Sequence, residues 1–429
     1  MSLAVLAYPQ LKEEPLSNNT AHNLIKVIRN SNLSIKHGDN IHLGKNLLSN
    51  IGLQQFEYQL FFKYQYYLYS YIFKDETFSR AIIKRYGTAY EYMSAVVMTL
   101  YLSFFAIELN SVNRQMIKKL INKNLSTVKA LTITVEEYKD VLKSWNFKLD
   151  DYRYLLCPLY EKPFLSFNNE LTVPLPHVLT RSITTSMLYC VTRDNNTLRN
   201  RLGKILEDFA FTLIRNNCHC QEIYQEKQFT TKCGDIKTRD VNCLFNNGFL
   251  LIECKSYVPS IKLRNFKEEN YLSEVDRLAK EMKKIYKDIC INRIKYSDYN
   301  QFKAVDICKA NKDDIYCFLV LLEDSYISRK DVYDKCANNL GINEDSQEYQ
   351  WLISHISIIS YYTLIELAFK CDDIISYIKS SEPFNFYNPI EAKKEIMHGE
   401  DYNNAMHDLD VRINKMVFSL FSQPSDHMP

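Results

Sequence analysis

RDVNCLFNNGFLLIECKSY, residues 239–257, reads as two strands joined by a tight turn. Asn246, Asn247 and Gly248 supply the turn, because Asn and Gly tolerate the left-handed backbone that short hairpin connections require. The flanks VNCLF and GFLLI are apolar enough to lie inside a sheet, yet Asp240, Glu253 and Lys255 stand among them. A strand's side-chain period of two puts Glu253 and Lys255 on one face, away from Ile252 and Cys254. Asp240 and Asn242 share a face of the partner strand, with Val241, Cys243 and Phe245 opposite. A small polar cluster therefore spans two adjacent strands. Two carboxylates held close repel each other unless a cation or a proton lies between them, and an oxygen-rich pair suits Mg²⁺, with Mn²⁺ as a substitute. A lysine beside them can orient or deprotonate water and offset negative charge as it develops. The plainer alternative is a salt-bridged sheet in which Lys255 neutralises both acids, although buried ion pairs are poor stabilisers.

Outward from this stretch the pattern stays ordered. HVLTRSITTSMLYCV suggests a helix from His177, and residues 194–217 a second, with an N-cap among Asp194 to Asn196 and an apolar stripe of Leu198, Leu202, Ile205, Phe209 and Leu213. EIYQEKQF (222–229) reads as a strand before the hairpin, and a charged helix follows it over residues 271–289. DIYCFLVLLE (314–323) and HISIIS (355–360) are apolar runs of strand length, and TLIELAFKCDDIISYI (363–378) is helical. That order implies an α/β domain over residues 177–381, with a mixed sheet flanked by helices. Residues 382–429 read as a polar, partly helical tail. Pro158, Pro163, Pro174 and Pro176 mark residues 157–176 as a linker, and residues 1–156 as a mainly helical N-terminal domain. In that domain Leu60, Tyr64, Tyr67 and Tyr71 recur at helical spacing. Interleaved with Lys63 and Lys74 they could stack bases, but core or subunit-interface packing is the favoured reading.

Composition excludes several classes. With 9 glycines in 429 residues, none in a G-x-G-x-x-G or G-x-x-x-x-G-K-[ST] pattern, dinucleotide and P-loop sites are disfavoured. A net charge of +2 gives no global basic field, so nucleic acid would have to be held by local patches. Twelve scattered cysteines and an N-terminus without a signal-peptide pattern point to a reducing cytoplasm. The uncharged run Tyr92 to Ile107 falls short of the ~20 apolar residues of a membrane span and reads as a buried helix. Cys218, His219, Cys220, Cys233 and Cys243 lack the paired spacing of a zinc site, and His398, His407, Asp408 and Asp410 lie in the polar tail.

Asp240, a hairpin's length of chain, then Glu253-Cys254-Lys255 resembles the signature of the PD-(D/E)XK nuclease superfamily. The element order from residue 197 to about 323 is similar to that family's restriction-endonuclease-like αβββαβ core. The family's further glutamate, on the helix before the first strand, is matched by Glu207 in GKILEDF, with Asp208 as a substitute. Asp235 competes with Asp240 for the aspartate position; Asp240 is preferred because a strand follows it directly. The family's usual proline near the aspartate and the Gln-x-x-x-Tyr of its RecB-like branch are absent. The resemblance covers under half the chain. It implies a Mg²⁺-dependent nuclease acting on DNA rather than RNA, in a setting of bacterial restriction or antiviral defence. Asp240 and Glu253 would be metal ligands, Lys255 the water-orienting group, and Glu207 a supporting or second-metal carboxylate. Lys262, Arg264 and Lys267 would grip the nucleic-acid backbone without reading sequence. The helical half would recognise substrate, a partner subunit or a second copy of the chain. The competing reading is a catalytically silent member that binds nucleic acid or scaffolds an assembly.

Overall fold

The computed structural model of the chain describes residues 62–105, 111–144, 158–167, 170–175, 178–231, 234–257, 268–295, 300–323 and 327–380, together with residue 411. Its N-terminal part is helical: α1 (Phe62–Phe73), α2 (Glu76–Tyr86), α3 (Tyr90–Phe105), α4 (Ser111–Lys123), α5 (Leu125–Ala130) and, after β1 (Thr132–Thr134), α6 (Val135–Ser144). The proline-rich stretch contributes β2 (Phe164–Phe167), which runs parallel to β1, and β3 (Glu170–Thr172), antiparallel to β2. Helix α3, with Met93, Val97 and Leu100 buried, matches the expected buried helix. No helix among the described residues is long and apolar enough to cross a membrane.

Helix α7 (Thr185–Thr192) leads into α8 (Asn196–Asn217), whose first turn is capped where the Asn195 side chain accepts the Leu198 N–H at 3.1 Å. Three strands follow in the main sheet, β4 (Glu222–Gln225), β7 (Val241–Phe245) and β8 (Gly248–Lys255), and then the crossover helix α9 (Glu268–Lys287) and β9 (Ile315–Leu321). Helices α10 (Arg329–Leu340) and α11 (Gln347–His355) precede β10 (Ile356–Ser360), the strand expected from HISIIS. The sheet order is β10-β9-β8-β7-β4, with β4, β7 and β8 antiparallel in sequence and β8, β9 and β10 parallel.

The β7–β8 hairpin closes at Phe245 opposite Gly248, so Asn246 and Asn247 alone make the turn. Gly248 has φ 149°, and a Cβ there would lie 2.4 Å from the Asp314 carbonyl oxygen. Only glycine fits that approach. One face of the sheet (Val241, Cys243, Leu250, Ile252, Phe318, Val320) packs against α1, α8 and α12 (Tyr361–Lys370). The other (Leu244, Phe249, Leu251, Cys317, Leu319) packs against α9, α10 and α11.

Two expectations change. EIYQEKQF is not one strand: β4 runs out of partner where Gln225 meets Val241, and the chain leaves the sheet to form a local ribbon of β5 (Gln228–Thr231) and β6 (Gly234–Lys237). The expected helix over 363–378 is two, α12 and α13 (Ile374–Ser380), because Asp373 turns its carboxylate onto the Ser376 N–H at 3.2 Å and starts a new helix. The aromatic stripe of α1 is core: Tyr67 and Tyr71 set their rings edge-on against Phe209 of α8, and Tyr69 donates to Glu323 at 2.6 Å. Tyr362 of α12 donates to the same Glu323 oxygen.

Candidate active site

Continuing the β7–β8 register by one residue sets Asp240 across from Glu253, as the two-residue period requires. Asp240 is only 8% exposed, and its Oδ2 accepts the Cys254 N–H at 2.6 Å. Among the described residues it has no ion pair. Burial first, then the charge of Glu253, pushes its pKa up from 3.8 to about 7; the Glu207 charge adds to this and the Cys254 N–H opposes it. Glu253, by contrast, is held at both oxygens: Oε1 accepts from Lys255 Nζ at 2.6 Å and Oε2 from Arg239 Nη1 at 2.8 Å.

The cations are themselves anchored by α9. Glu274, Glu281 and Asp288 recur every seven residues, nearly two helical turns, and so form one row along the helix. That row faces the polar end of β8. Tyr257 donates to Glu274 at 2.8 Å, Lys255 lies 3.2 Å from Glu281, and Arg239 pairs with Asp288. Asp288 opens a π-helical turn, Asp288–Asn292, and its other oxygen accepts from Asn292 at 2.5 Å. Burial works against the Lys255 ammonium, but Glu253 and Glu281 outweigh it and hold its pKa above the ordinary value. Lys255 remains 34% exposed at its side chain, and a cavity of about 170 Å³ opens beside it, lined also by Ser256, Tyr257, Arg277 and Glu281. A charged ammonium at the mouth of an open cavity can meet an anionic substrate and a water together.

Of the residues expected at the site, the structure gathers Asp240, Glu253 and Lys255. Glu207 sits on α8, under the opposite face of the sheet, paired with Lys204 at 3.1 Å; it reaches Asp240 through its field. Asp208 is turned toward β4, accepting from Gln225 at 2.8 Å. Asp235 lies on the exposed β5–β6 ribbon and accepts from Gln228 at 2.7 Å, on a different sheet from Glu253. Lys262, Arg264, Lys267, Cys233, His398, His407, Asp408 and Asp410 lie outside the described residues. His219 is exposed, 3.8 Å from Asp372, and burial pushes the Cys218 and Cys243 thiols well up. Sequence reasoning missed Arg239, Glu281 and Asp288. The seven-residue recurrence of acids on α9 was the available signal.

Among the described residues no three His, Cys, Asp or Glu side chains are grouped so as to hold a metal ion. The donors still suit a hard cation in one respect. Asp240 is buried, beset by two negative neighbours and lacks a paired cation among the described residues, which is the electrostatic deficit that a divalent ion relieves. No family model, curated protein or solved structure matches the chain.

Proposed function

We propose that the chain is a Mg²⁺-dependent nuclease that hydrolyses phosphodiester bonds, built on a restriction-endonuclease-like core within its mixed α/β fold. The observation that carries this reading is the pairing of Asp240 with Glu253 across adjacent strands, with the Lys255 ammonium 2.6 Å from Glu253 and open to a cavity. Asp240 and Glu253 would hold the ion, with Mn²⁺ as a substitute. When bound, it supplies stabilisation of charge building on the phosphoryl oxygens and lowers the pKa of water. Lys255, kept charged by Glu253 and Glu281, orients the attacking water and faces the substrate's negative charge. Glu207 supports the site through the negative field it adds at Asp240. DNA is favoured over RNA, and a cytoplasmic defence role is the setting, both on the family resemblance alone. The helical part would serve partner or substrate recognition.

A second reading has its own observation. Arg239 and Lys255 occupy both Glu253 oxygens, the arrangement of a finished structural ion-pair network, which suits a silent nuclease-fold protein that only binds or scaffolds. One experiment separates the two. Purified chain is incubated with plasmid, linear DNA, single-stranded DNA and RNA, with Mg²⁺ or EDTA, beside Asp240→Asn and Glu253→Gln. Cleavage that needs Mg²⁺ and vanishes in both variants supports the nuclease. No cleavage of any substrate, with a melting temperature indifferent to Mg²⁺, leaves the scaffold.

A further inference from the structure

Arg239 stands immediately before Asp240 and grips two acids at once. Its Nη1 donates to Glu253 Oε2 at 2.8 Å, and its Nη2 pairs with Asp288 Oδ2. All three side chains are 11–15% exposed, so this contact is weakly screened by solvent. Asp288 is fixed from behind by Asn292 on a π-helical turn, a local insertion that re-aims side chains relative to the helix that carries them. Lys255 fills the other Glu253 oxygen and has Glu281 as its own second partner. Each cation thus bridges Glu253 of strand β8 to an acid on α9 or on the π-helical turn that follows it, and an ion approaching either Glu253 oxygen meets a positive charge already seated there.

We propose that Arg239 is a built-in counter-cation that occupies the Glu253 side of the metal site and must retreat onto Asp288 before Mg²⁺ can be held. This rests on the nuclease reading above. Lys255 is the less suited to leave, because it sits two residues from Glu253 on the same strand face and the nuclease reading needs its ammonium beside the ion. Arg239 enters from the turn before β7, and Asp288 gives its guanidinium an anion to keep when Glu253 lets go. Asp288 therefore favours metal binding although it touches no metal, and Arg239 opposes it. The affinity for the ion is set by a competition inside the protein.

The test measures Mg²⁺ and Ca²⁺ binding by calorimetry, and the melting-temperature rise each ion causes, on the full chain and on Arg239→Gln, Arg239→Lys and Asp288→Asn, without nucleic acid. Removing the guanidinium should tighten binding on the order of tenfold, since a positive charge leaves the ion's immediate surroundings. Arg239→Lys keeps the charge and should stay within about threefold of the parent. Asp288→Asn should weaken binding several-fold, because Arg239 then has Glu253 as its principal anion. Should Arg239→Gln not fold, Asp288→Asn decides: binding equal to or tighter than the parent overturns the competition. If the parent binds Mg²⁺ and Arg239→Gln binds no tighter, the competition is wrong and the nuclease reading stands. If none of the four proteins binds either ion, both fall.

Discussion

Asp240→Asn in metal-free buffer measures the electrostatic load of the site. The folded pKa of about 7 stands above the ordinary 3.8, so between those values the folded state holds a proton that the unfolded state has released. Stability therefore falls as pH rises through that window and reaches its full penalty above pH 7. About 3 pH units at roughly 1.4 kcal/mol each sets an upper value of about 4 kcal/mol for the penalty on the parent protein. Asparagine removes it while keeping an oxygen to accept the Cys254 N–H now taken by Asp240 Oδ2. The variant should match the parent at pH 4 and exceed it at pH 8 by up to about 4 kcal/mol, at most about 4–5 °C in melting temperature for a chain of this size. Paired melts in EDTA from pH 4 to 9 provide the comparison. Mg²⁺ should then stabilise the parent increasingly up to about pH 7 and leave the variant where it was. A variant that is less stable at pH 8, or a difference that does not change with pH, refutes the argument.

Lys255→Met should abolish turnover and cost only about 1–2 kcal/mol, less than the loss of a sole partner, because Glu253 keeps Arg239 and Glu281 keeps Lys284. Cleavage at the parental rate in that variant removes Lys255 from the chemistry. Glu207→Gln takes away a charge that raises Asp240, so the pH midpoint of the Asp240→Asn stability difference should move down; an unmoved midpoint dissociates Glu207 from the site. Gly248→Ala should destabilise by about 2–4 kcal/mol in chemical denaturation, since φ 149° and the 2.4 Å approach to Asp314 both oppose a Cβ. A loss below about 0.5 kcal/mol would mean that the hairpin shifts freely away from Asp314.

Local chemistry explains what was legible beforehand. The Asn195 cap, the Asn246–Asn247 turn and the apolar run of β9 are each encoded within a few residues, and each formed where expected. The pairing of Asp240 with Glu253 followed from the turn position and the period of two alone. The split of EIYQEKQF was not legible, because it depends on where β7 stops offering partners, at Val241 opposite Gln225, well downstream in the chain. Arg239, Glu281 and Asp288 escaped notice for a different reason: on an amphipathic helix or beside a turn, a charge resembles a solvated one until the strand it faces is known. The break at Cys371–Asp373 was visible as Cys-Asp-Asp but lost to the apolar periodicity on either side.

Tyr67 and Tyr71 of α1 lie on Phe209, Tyr67 also meets Phe369, and Tyr69 shares Glu323 with Tyr362. A fragment begun after the proline-rich stretch would retain the acids, the lysine and the sheet yet bare the Phe209 and Phe369 rings and leave Glu323 one donor poorer. Such a truncation trades a smaller protein for an aromatic patch open to water, the kind of surface that drives self-association. Expression of the C-terminal part alone is therefore a matter of replacing that helix, with a surrogate peptide or with polar substitutions at the two phenylalanines, before the behaviour of the fragment can be charged to anything but the bared rings.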